Sequence, residues 1–597
     1  MSEKIRRGGR FVIEDINPAN IAAPEDFTEE QSMLGLAARG FLETEIVPHD
    51  EEIEALDYEL TTKLMRLAGD MGLLGADVPE RYGGIGLDKV STTLLAETLA
   101  ASSSFALSVG AHTGIGTLPI VFFGSEEQKQ AYLPDLAAGK KIAAYCLTEP
   151  ASGSDALGAK TVAKLNEAGT HYILNGSKLY ITNAGFADLF IVYAKIDGDK
   201  FTAFIVERNM EGFSVGPEEK KMGIKGSSTC PLYFEDLHVP VANVLGEIGK
   251  GHHIAFNILN IGRFKLGAAC LGTSKETIEL ASRYANTRKQ FGQPISSFPL
   301  IGGKLADMNI LTYVMESMVY RTAGLIDSML SESDETDAGA DRADAGRLAA
   351  SAISEYALEC SIVKVFATEA LDFIADEGVQ IHGGYGYIRE YKVERIYRDS
   401  RINRIFEGTN EINRLLIPGT LLKKAMKGEL PLLEKVQKLQ AELLEPNMAP
   451  EFIAPLSKEQ YRISQAKKAF LAVGGIAVQK LGTRLEQEQE VLAILADMMI
   501  LIYAMESAYL RTKKMMERAG AAAASSLAAT MTEVYIQEAM DKLESIAKQA
   551  LTTLEQDDGL RIQLSVLRKL MKSPLVNITK LKREIAARVI RSEHYVV

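Results

Sequence analysis

A carboxylate in an apolar setting is the residue of this chain whose surroundings best suit proton transfer. Glu407 stands between Phe406 and Gly408, directly before the helix-start sequence Thr409-Asn410. An apolar neighbour raises the pKa of a carboxyl group by desolvating its charged form, which suits a general base working near neutral pH. The glycine lets a ligand approach the backbone, and the residues after it can cap a helix. The run is a candidate site of proton abstraction, with plain helix capping as the alternative.

Two further runs have residue types that suit a flat, phosphorylated ligand. Residues 145–155 combine small residues, hydroxyl groups and backbone amides, a composition suited to the edge of a flavin ring or to phosphate oxygens. Residues 178–183 place Tyr180 two positions before Thr182, so an aromatic wall stands next to a hydroxyl donor. A plain Pro-Gly-Ser turn is the alternative for the first run.

Two arginines and a glycine cluster suit the charged parts of such a ligand. Arg288 precedes Gln290 and Phe291, and its paired donors match a pyrophosphate, although a lone Arg after a helix commonly offsets the helix dipole. Residues 380–384 could bring backbone close to a phosphate or could simply end a helix. Arg263 could hold a phosphate or amide of a long ligand, or form a structural ion pair.

The composition excludes several classes of protein. The 597 residues are 47% hydrophobic and 24% charged, and a formal net charge of -13 gives no field that would attract nucleic acid. The four cysteines have neither the spacing of a disulfide framework nor that of a zinc site, so no metal is expected. The sequence has no GxGxxG, P-loop, HExxH or GxSxG motif, which argues against nicotinamide, kinase and hydrolase chemistry.

No segment of the chain has the pattern of a secretory signal or of a membrane anchor. The basic residues near the start are not followed by an apolar stretch, and apolar runs such as 498–502 are far shorter than the ~20 residues that cross a bilayer. We therefore expect a cytoplasmic protein, or one peripheral to a membrane.

The hydrophobic period changes along the chain and divides it into segments. Short β-rich runs broken by Asn-Gly and Asp-Gly turns predict a small antiparallel β domain between helical regions. The fold class is therefore mainly α with a central β domain. The expected segments are an N-terminal tail at 1–30, a helical domain at 31–142, the β domain at 143–250, a helical bundle with the candidate base at 251–430, a Pro-containing linker or broken helix at 431–455 and a second helical bundle at 456–597.

The second bundle contains an internal repeat. Residues 306–317, ADMNILTYVMES, return as residues 496–507, ADMMILIYAMES, and both copies continue to an Arg-Thr pair. A fainter echo relates Glu369-Ala370 to Glu538-Ala539. The last segment is therefore a degenerate second copy of the central bundle. It lacks a counterpart of the Glu407 run, so we expect it to be catalytically empty and to serve in packing or docking.

Taken in order along the chain, these runs resemble the motifs of the acyl-CoA dehydrogenase family. The similar stretches are 146–155, 178–183, 221–225, 234–236, 288–294, 380–387 and 406–412. The C-terminal extension is similar to that of the very-long-chain branch of the family. The resemblance implies an N-terminal helical domain, an antiparallel β domain and a helical bundle, followed by the second bundle. It also implies one FAD per subunit and a homodimer in which each subunit contributes to its partner's nucleotide site.

The resemblance assigns roles to individual residues. It implies that Glu407 is the catalytic base. Some branches of the family instead place the base just before the position that matches Arg263, but that residue is here Gly262, which cannot act as a base. It implies cofactor contacts from Leu147, Thr148, Gly153, Ser154, Tyr180, Thr182, Arg288, Gln290, Phe291, Gln380, Gly383, Gly384, Thr409, Asn410 and Glu411. It implies substrate contacts from Ser154, Asn260, Arg263, Phe406 and Gly408. The family usually has Trp at the position of Tyr180, and a tyrosine ring can also stack.

The implied function is FAD-dependent α,β-dehydrogenation of long-chain acyl-CoA to trans-2-enoyl-CoA in fatty-acid β-oxidation, with electron-transfer flavoprotein as acceptor. An acyl-CoA oxidase that uses oxygen is one alternative, and an assembly or scaffold protein that retains the fold is another. Gly110, Gly114 and Gly116 leave room for an alkyl tail, or they serve close helix packing. The segment 436–460, which matches the membrane-touching part of the very-long-chain branch, carries Glu442, Glu445, Glu451 and Glu459, so we expect weak or no membrane association.

Overall fold

The computed structural model describes residues 7–336, 345–443, 452–519 and 526–597. Its elements follow the predicted order, with helices, then a β domain, then helices again. The N-terminal domain contains α1 (Glu29–Phe41), α2 (Asp50–Glu54), α3 (Tyr58–Asp70), α4 (Lys89–Leu99), α5 (Ser104–Gly110), α6 (Leu118–Phe123) and α7 (Glu126–Ala137). Between α5 and α6 the chain widens into a π-helical turn, Ala111–Gly116, a form that is frequent at functional sites.

The β domain is a single twisted sheet of eight strands, and all of its residues are described. Its strands are β1 (Ala143–Cys146), β2 (Val162–Leu165), β3 (His171–Thr182), β4 (Leu189–Ile196), β5 (Lys200–Glu207), β6 (Phe213–Val215), β7 (Thr229–Pro240) and β8 (Val244–Leu245). The spatial order is β6-β7-β3-β2-β4-β5-β8, with β1 added beside β4. The expectation of a wholly antiparallel sheet was wrong in part, because β1 and β2 each run parallel to β4. Those pairings join strands that are distant in sequence, which turn signals do not reveal.

The central bundle is built on three long helices. Its elements are α8 (Gly251–Thr287), α9 (Pro299–Thr336), α10 (Ala345–Glu355), α11 (Ala357–His382), α12 (Lys392–Ser400) and α13 (Asn410–Met426). A small hairpin of β9 (Lys289–Gln290) and β10 (Gln293–Pro294) follows α8. The glycine cluster after α11 forms a 3-10 turn, Gly383–Tyr387.

The second bundle begins earlier than the sequence indicates. It contains α14 (Leu432–Leu443), α15 (Ser457–Leu481), α16 (Gln489–Ala519), α17 (Leu527–Leu554), α18 (Asp557–Met571) and α19 (Ile578–Ser592). Thus α14 occupies much of the stretch 431–455 for which a linker or broken helix was expected. Residues 444–451, with Glu445 and Glu451, lie outside the described part. Of the remaining acidic residues in that segment, Glu442 pairs with Lys468 and Glu459 is buried.

The N-terminal segment is packed against the second bundle instead of forming a tail. Phe11 and Val12 are buried, and the Phe11 ring meets Tyr503 edge-on at 4.9 Å. Arg511 of α16 donates to Glu25 at 2.6 Å. Sequence patterning missed this because the segment has only short 3-10 turns, and its partners lie almost 500 residues away.

The two repeat copies contact each other through their own equivalent residues. Tyr313 on α9 hydrogen-bonds Thr512 on α16 at 2.7 Å, and Tyr503 on α16 hydrogen-bonds Thr322 on α9 at 2.8 Å. The ion pairs are exchanged in the same way, and they are Arg321 with Glu506 at 2.7 Å and Arg511 with Glu316 at 2.6 Å. Reciprocal contacts of this kind define an isologous, two-fold interface, here formed within one chain.

Within the described part of the chain, three helices are long and apolar enough to cross a membrane by length and composition, contrary to the expectation that every apolar run is too short. They are Ser104–Phe123, Gly251–Thr287 and Gln489–Ala519, and 78%, 61% and 89% of their apolar windows are buried inside the protein. Burial in the helical core accounts for their apolar character.

Candidate active site

Glu407 lies in a tight turn between α12 and α13. Its φ is 57° and that of Gly408 is 80°, so a left-handed pair of residues turns the chain into the helix. A positive φ at a glutamate is strained, and such strain concentrates at functional sites. The Thr409 side chain caps α13 by accepting from the amide of Ile412, as the sequence predicts.

The Glu407 carboxylate reaches the backbone of α8. A Cβ added at Gly262 would lie 2.6 Å from the Glu407 Cδ, and nearer still to Oε2. That oxygen is buried and has no hydrogen-bond partner among the described residues. A buried acceptor without a partner calls for an explanation, and a proton to be removed from a substrate supplies one.

The electrostatic setting of Glu407 combines an apolar environment with two nearby cations. Burial raises the pKa of the carboxyl group to about 7, although Arg263 and Lys364 pull that pKa down. At neutral pH a large share of the side chain is therefore ionised while remaining basic enough to accept a proton, as a general base requires.

The two cations hold the turn by hydrogen bonds to its carbonyls. Arg263 Nε donates to the Glu407 carbonyl at 3.1 Å, and its Nη1 donates to Asn260 Oδ1 at 2.9 Å. Lys364, fully buried on α11, donates to the Gly408 carbonyl at 2.8 Å and to Asn410 Oδ1 at 2.6 Å. These bonds fix the backbone of the turn, so both cations orient Glu407 as well as acting on its charge.

Lys364 was missed in the sequence, although a signal was present. It interrupts the apolar run Ile362-Val363-Lys364-Val365-Phe366 on α11. A lysine within such a run is buried only when it has partners, and burial lowers the pKa of this one to about 8.

Asn410, one of the predicted cofactor contacts, has its side-chain amide bonded within the protein. Asn410 is buried, and its amide group donates to Thr368 at 3.1 Å and to Glu369 at 3.0 Å while accepting from Lys364. Its side chain is therefore used within the protein, and we assign it to the support of the turn. Its neighbour Glu411 is exposed in the first turn of α13.

A buried ion pair shapes the wall formed by the predicted flavin-contacting residues. Lys178 donates to Glu149 at 2.7 Å and to the Leu147 carbonyl at 3.3 Å, and the Leu179 amide donates to the Thr148 carbonyl at 2.9 Å. These contacts join the loop after β1 to the end of β3. Along this wall Leu147 is buried, Thr148 and Thr182 are half-buried, and Gly153 and Ser154 are exposed.

Tyr180 presents its ring on the same wall. Its side chain is 61% exposed and its φ is 59°, so a kink in β3 turns the ring outward. An exposed aromatic ring in a strained backbone suits stacking on a planar ligand.

A second group of predicted residues gathers at the far end of α8. The Arg288 guanidinium lies over the Tyr385 ring at 5.5 Å, which brings the hairpin to the glycine cluster. Phe291 is 93% exposed at the hairpin tip. Gln290, Gln380, Gly383 and Gly384 are also exposed.

The hairpin group lies far along α8 from the residues that hold the Glu407 turn. Arg263 and Arg288 are separated by 25 residues, which is about 37 Å along the helix. The hairpin group therefore stands apart from the catalytic turn of the same chain.

The backbone at both groups is accessible to a large ligand. A Cβ added at Gly153, Gly292, Gly383 or Gly384 would meet no atom within 4 Å. Open glycines beside exposed aromatic rings and an arginine fit a cofactor with a flat ring system and a pyrophosphate, as FAD has.

The second bundle has a turn that corresponds to the one carrying Glu407. Asn577 caps α19 by accepting from the Lys580 amide, as Thr409 caps α13. Arg462 on α15 donates to the Pro574 carbonyl of this turn, one residue earlier than the carbonyl of the other turn that Arg263 contacts. Counting back from the caps, Leu575 stands where Glu407 does, and it is 92% exposed. This turn therefore has a leucine in place of the carboxylate.

Family models match most of the chain in the order of its domains. The N-terminal domain of acyl-CoA dehydrogenase matches residues 28–140, the middle domain 144–237, one C-terminal domain 249–422 and a second C-terminal domain 465–569. The chain belongs to the acyl-CoA dehydrogenase family. The predicted fold is likewise confirmed, and the protein is an FAD-dependent acyl-CoA dehydrogenase.

Individual relatives agree with this placement. A probable acyl-CoA dehydrogenase of Bacillus subtilis is 54% identical over 99% of both chains. The bovine mitochondrial very long-chain specific acyl-CoA dehydrogenase is 39% identical, over 68% of this chain and 60% of that protein. A crystal structure of an acyl-CoA dehydrogenase complexed with FAD from Bacillus anthracis matches with a TM-score of 0.96 and 54% identity, covering 99% of this chain and 100% of the other.

Proposed function

We propose that this acyl-CoA dehydrogenase uses Glu407 to remove the α-proton of long-chain acyl-CoA thioesters. The observation that supports this most strongly is the buried, unpartnered Oε2 of Glu407, held against the bare backbone of Gly262. The carboxylate takes the α-proton as the β-carbon–hydrogen bond breaks, and a carbon–carbon double bond forms between the two carbons. Bound FAD supplies the acceptor for the hydride that leaves the β-carbon.

The residues around Glu407 prepare it for this step. Arg263 and Lys364 fix the turn through its carbonyls, so the carboxylate is oriented before substrate arrives. The thioester oxygen gains negative charge as the α-proton leaves, and the Glu407 backbone amide is its proposed hydrogen-bond donor. Preorganised donors of this kind stabilise the transition state because no reorientation is needed.

The proposed substrates have long acyl chains. Around the π-helical turn, an added Cβ at Gly110 would meet no atom within 4 Å, and one at Gly114 would meet only Lys265 Cδ at 3.7 Å. A Cβ at Gly116 would instead lie 2.8 Å from Ala143, so that glycine serves close packing. Gly110 is exposed and Gly114 is buried, so the free space runs from the surface to the interior beside this turn, which supports a channel for an alkyl tail. The similarity to the bovine very long-chain specific acyl-CoA dehydrogenase supports the same chain-length class.

The proposed acceptor of the electrons is electron-transfer flavoprotein, and the proposed assembly is a homodimer. Two separated groups of cofactor-binding residues in each chain support the dimer, since a partner subunit could complete each site. Because the residues fit a dehydrogenase and an oxidase alike, the acceptor needs a direct measurement.

The test is an anaerobic titration of the FAD-loaded protein with palmitoyl-CoA, followed by flavin absorbance, on wild type and Glu407→Gln. Bleaching in the wild type and none in the variant supports Glu407 as the base. Equal bleaching in both overturns it. A separate aerobic assay of the same protein measures the electron acceptor. Oxygen consumption with peroxide release, without electron transfer to electron-transfer flavoprotein, would show an oxidase instead of a dehydrogenase.

A further inference from the structure

A network of hydrogen bonds between charged and polar side chains connects the second bundle to the catalytic turn, and we call it the Asp497 network. Asp497 on α16 accepts from Arg414 Nε at 2.8 Å. The other two nitrogens of Arg414 donate to both oxygens of Glu369, at 2.6 and 2.9 Å. A guanidinium bound by two carboxylates in this way has a fixed plane, so Asp497 limits where Arg414 and Glu369 can lie.

The Asp497 network continues from Glu369 to the peptide beside Glu407. Glu369 Oε1 accepts from Asn410 Nδ2 at 3.0 Å, and Asn410 Oδ1 accepts from Lys364 at 2.6 Å. Lys364 also donates to the carbonyl of Gly408 at 2.8 Å. Each link is a direct hydrogen bond, and the last one ends on the residue that follows Glu407.

The equivalent positions of the repeat form a second network of ion pairs, which we call the Lys582 network. Lys582 on α19 pairs with Asp307 at 2.7 Å and with Glu538 at 2.5 Å. Asp307 occupies the position of Asp497 in the other repeat copy, and Glu538 that of Glu369. Lys582 lies five residues after the cap Asn577, as Arg414 lies five residues after Thr409.

Of the two networks, the Asp497 network leads to a carboxylate that could accept a proton. The Lys582 network ends on α19, and the turn before α19 has Leu575 in the position of the base. Both networks join the two bundles, but they differ in what they support.

We propose that Asp497 is a positioning residue for the dehydrogenation, and that through it the second bundle holds the turn that carries Glu407. The inference rests on the proposed role of Glu407. It gives the catalytically empty bundle a part in the reaction, because its Asp497 limits the movement of Arg414, Glu369 and Asn410 in turn.

The Lys582 network offers a matched control for the experiment. Asp497 lies on α16 and Asp307 at the equivalent position of α9, and replacing either one by Asn removes one charge of a partly buried ion pair. Both variants are prepared as full-length protein loaded with FAD and compared by thermal unfolding, by steady-state kinetics with palmitoyl-CoA and by the rate of anaerobic flavin reduction. Amide hydrogen exchange of the peptide spanning residues 405–412 reports directly on the turn.

We expect similar shifts in the unfolding midpoint for the two variants but different kinetics. Asp497→Asn lowers kcat and the rate of flavin reduction by roughly two- to thirty-fold, the range over which connected networks modulate function, with KM close to that of wild type. It also speeds exchange in the peptide 405–412, and Asp497→Glu restores part of the rate. Asp307→Asn leaves the kinetics and that peptide unchanged.

Equal kinetics and equal exchange in the two aspartate variants would overturn the proposal and reduce Asp497 to a docking contact. Glu407→Gln, measured alongside, separates this failure from failure of the proposed base. If Glu407→Gln is inactive and Asp497→Asn behaves as wild type, only the positioning role falls. If Glu407→Gln remains active, the base is wrong whatever Asp497→Asn does.

Discussion

The carboxylate of Glu407 occupies the space that a side chain at position 262 would need. The Cβ of any other residue there would lie 2.6 Å from the Glu407 Cδ, well inside van der Waals contact. The Glu407 carboxylate can therefore lie against α8 only because residue 262 has no side chain. This explains how a long helix passes directly beneath the base without displacing it.

Gly262→Ala should therefore reduce activity much more than stability. The carboxylate is the far end of a flexible side chain and can move away from the new methyl group, so folding is little affected. A displacement of about 1 Å from the reacting geometry costs roughly 10²-fold in rate. We expect a loss of that order in kcat for palmitoyl-CoA, with the flavin still bound.

Gly419→Ala is the control for the helix itself. Gly419 lies within α13, and an added Cβ there meets no atom within 4 Å. Replacing a helical glycine with alanine should stabilise the fold by up to about 1 kcal/mol and leave kcat unchanged. Wild-type kcat in Gly262→Ala would contradict the arrangement.

The raised pKa of Glu407 predicts the pH dependence of both activity and stability. Only the ionised carboxylate accepts a proton, so kcat/KM should rise with pH through about 7. Because the folded-state pKa lies above the ordinary value of 4.5, ionisation destabilises the fold. The stability of wild type relative to Glu407→Gln should therefore fall between about pH 4.5 and 7, by up to about 3 kcal/mol.

Denaturant unfolding of both proteins at pH 5 and pH 8 measures this difference. A stability difference that does not change between the two pH values would show that Glu407 is well solvated in the folded protein.

Lys364→Met should shift the rising limb of the pH profile to higher pH. The lysine lowers the pKa of Glu407, so its loss favours the protonated, inactive form of the base. The variant also leaves the Gly408 carbonyl and the Asn410 amide oxygen without a buried donor, which should cost about 1–3 kcal/mol of stability each. The pH profile of kcat/KM together with the unfolding midpoint separates the two effects.

Lys424→Met is the matched control, because Lys424 is also a buried lysine and donates to Glu355 at 2.6 Å. It should lower stability without moving the pH profile. A profile that moves equally in both variants would argue against a specific action of Lys364 on Glu407.

Gly110→Leu should shorten the range of acyl chains that the enzyme accepts. A bulky side chain would enter the free space beside the π-helical turn and compete with the distal part of an alkyl tail. We expect kcat/KM to fall for palmitoyl-CoA and to be retained for octanoyl-CoA. Gly116→Ala should instead lower the unfolding midpoint without changing the chain-length preference, because a Cβ there would press on Ala143. Equal losses on both substrates in Gly110→Leu would show that the space is not part of the acyl channel.

Local patterns in the sequence predicted the parts of the site that are local in structure. The turn at Glu407, the Thr409 cap and the exposed Tyr180 are each determined by a few neighbouring residues. Lys364 could not be placed in the same way, because its partners are about 45 residues away and only the packing of α11 on α13 brings them together.

The same distinction holds for the fold. The helical and β segments follow from periodicity, and the duplicated bundle follows from the repeat. The parallel pairing of β1 and β2 with β4, and the docking of the N-terminal segment on α16, depend on contacts between distant parts of the chain. Such contacts are specified by side-chain fit in three dimensions, which a single sequence does not display.

The reciprocal contacts between α9 and α16 change how substitutions act at that interface. In an assembly of two identical subunits every substitution appears twice across the symmetry axis, so each error is doubled and each half must keep every function of the other. Here the two halves are joined covalently, which keeps them together at any protein concentration and lets each vary alone. One half could thus keep its glutamate while the other came to carry Leu575, with the exchanged tyrosine–threonine and arginine–glutamate pairs left intact.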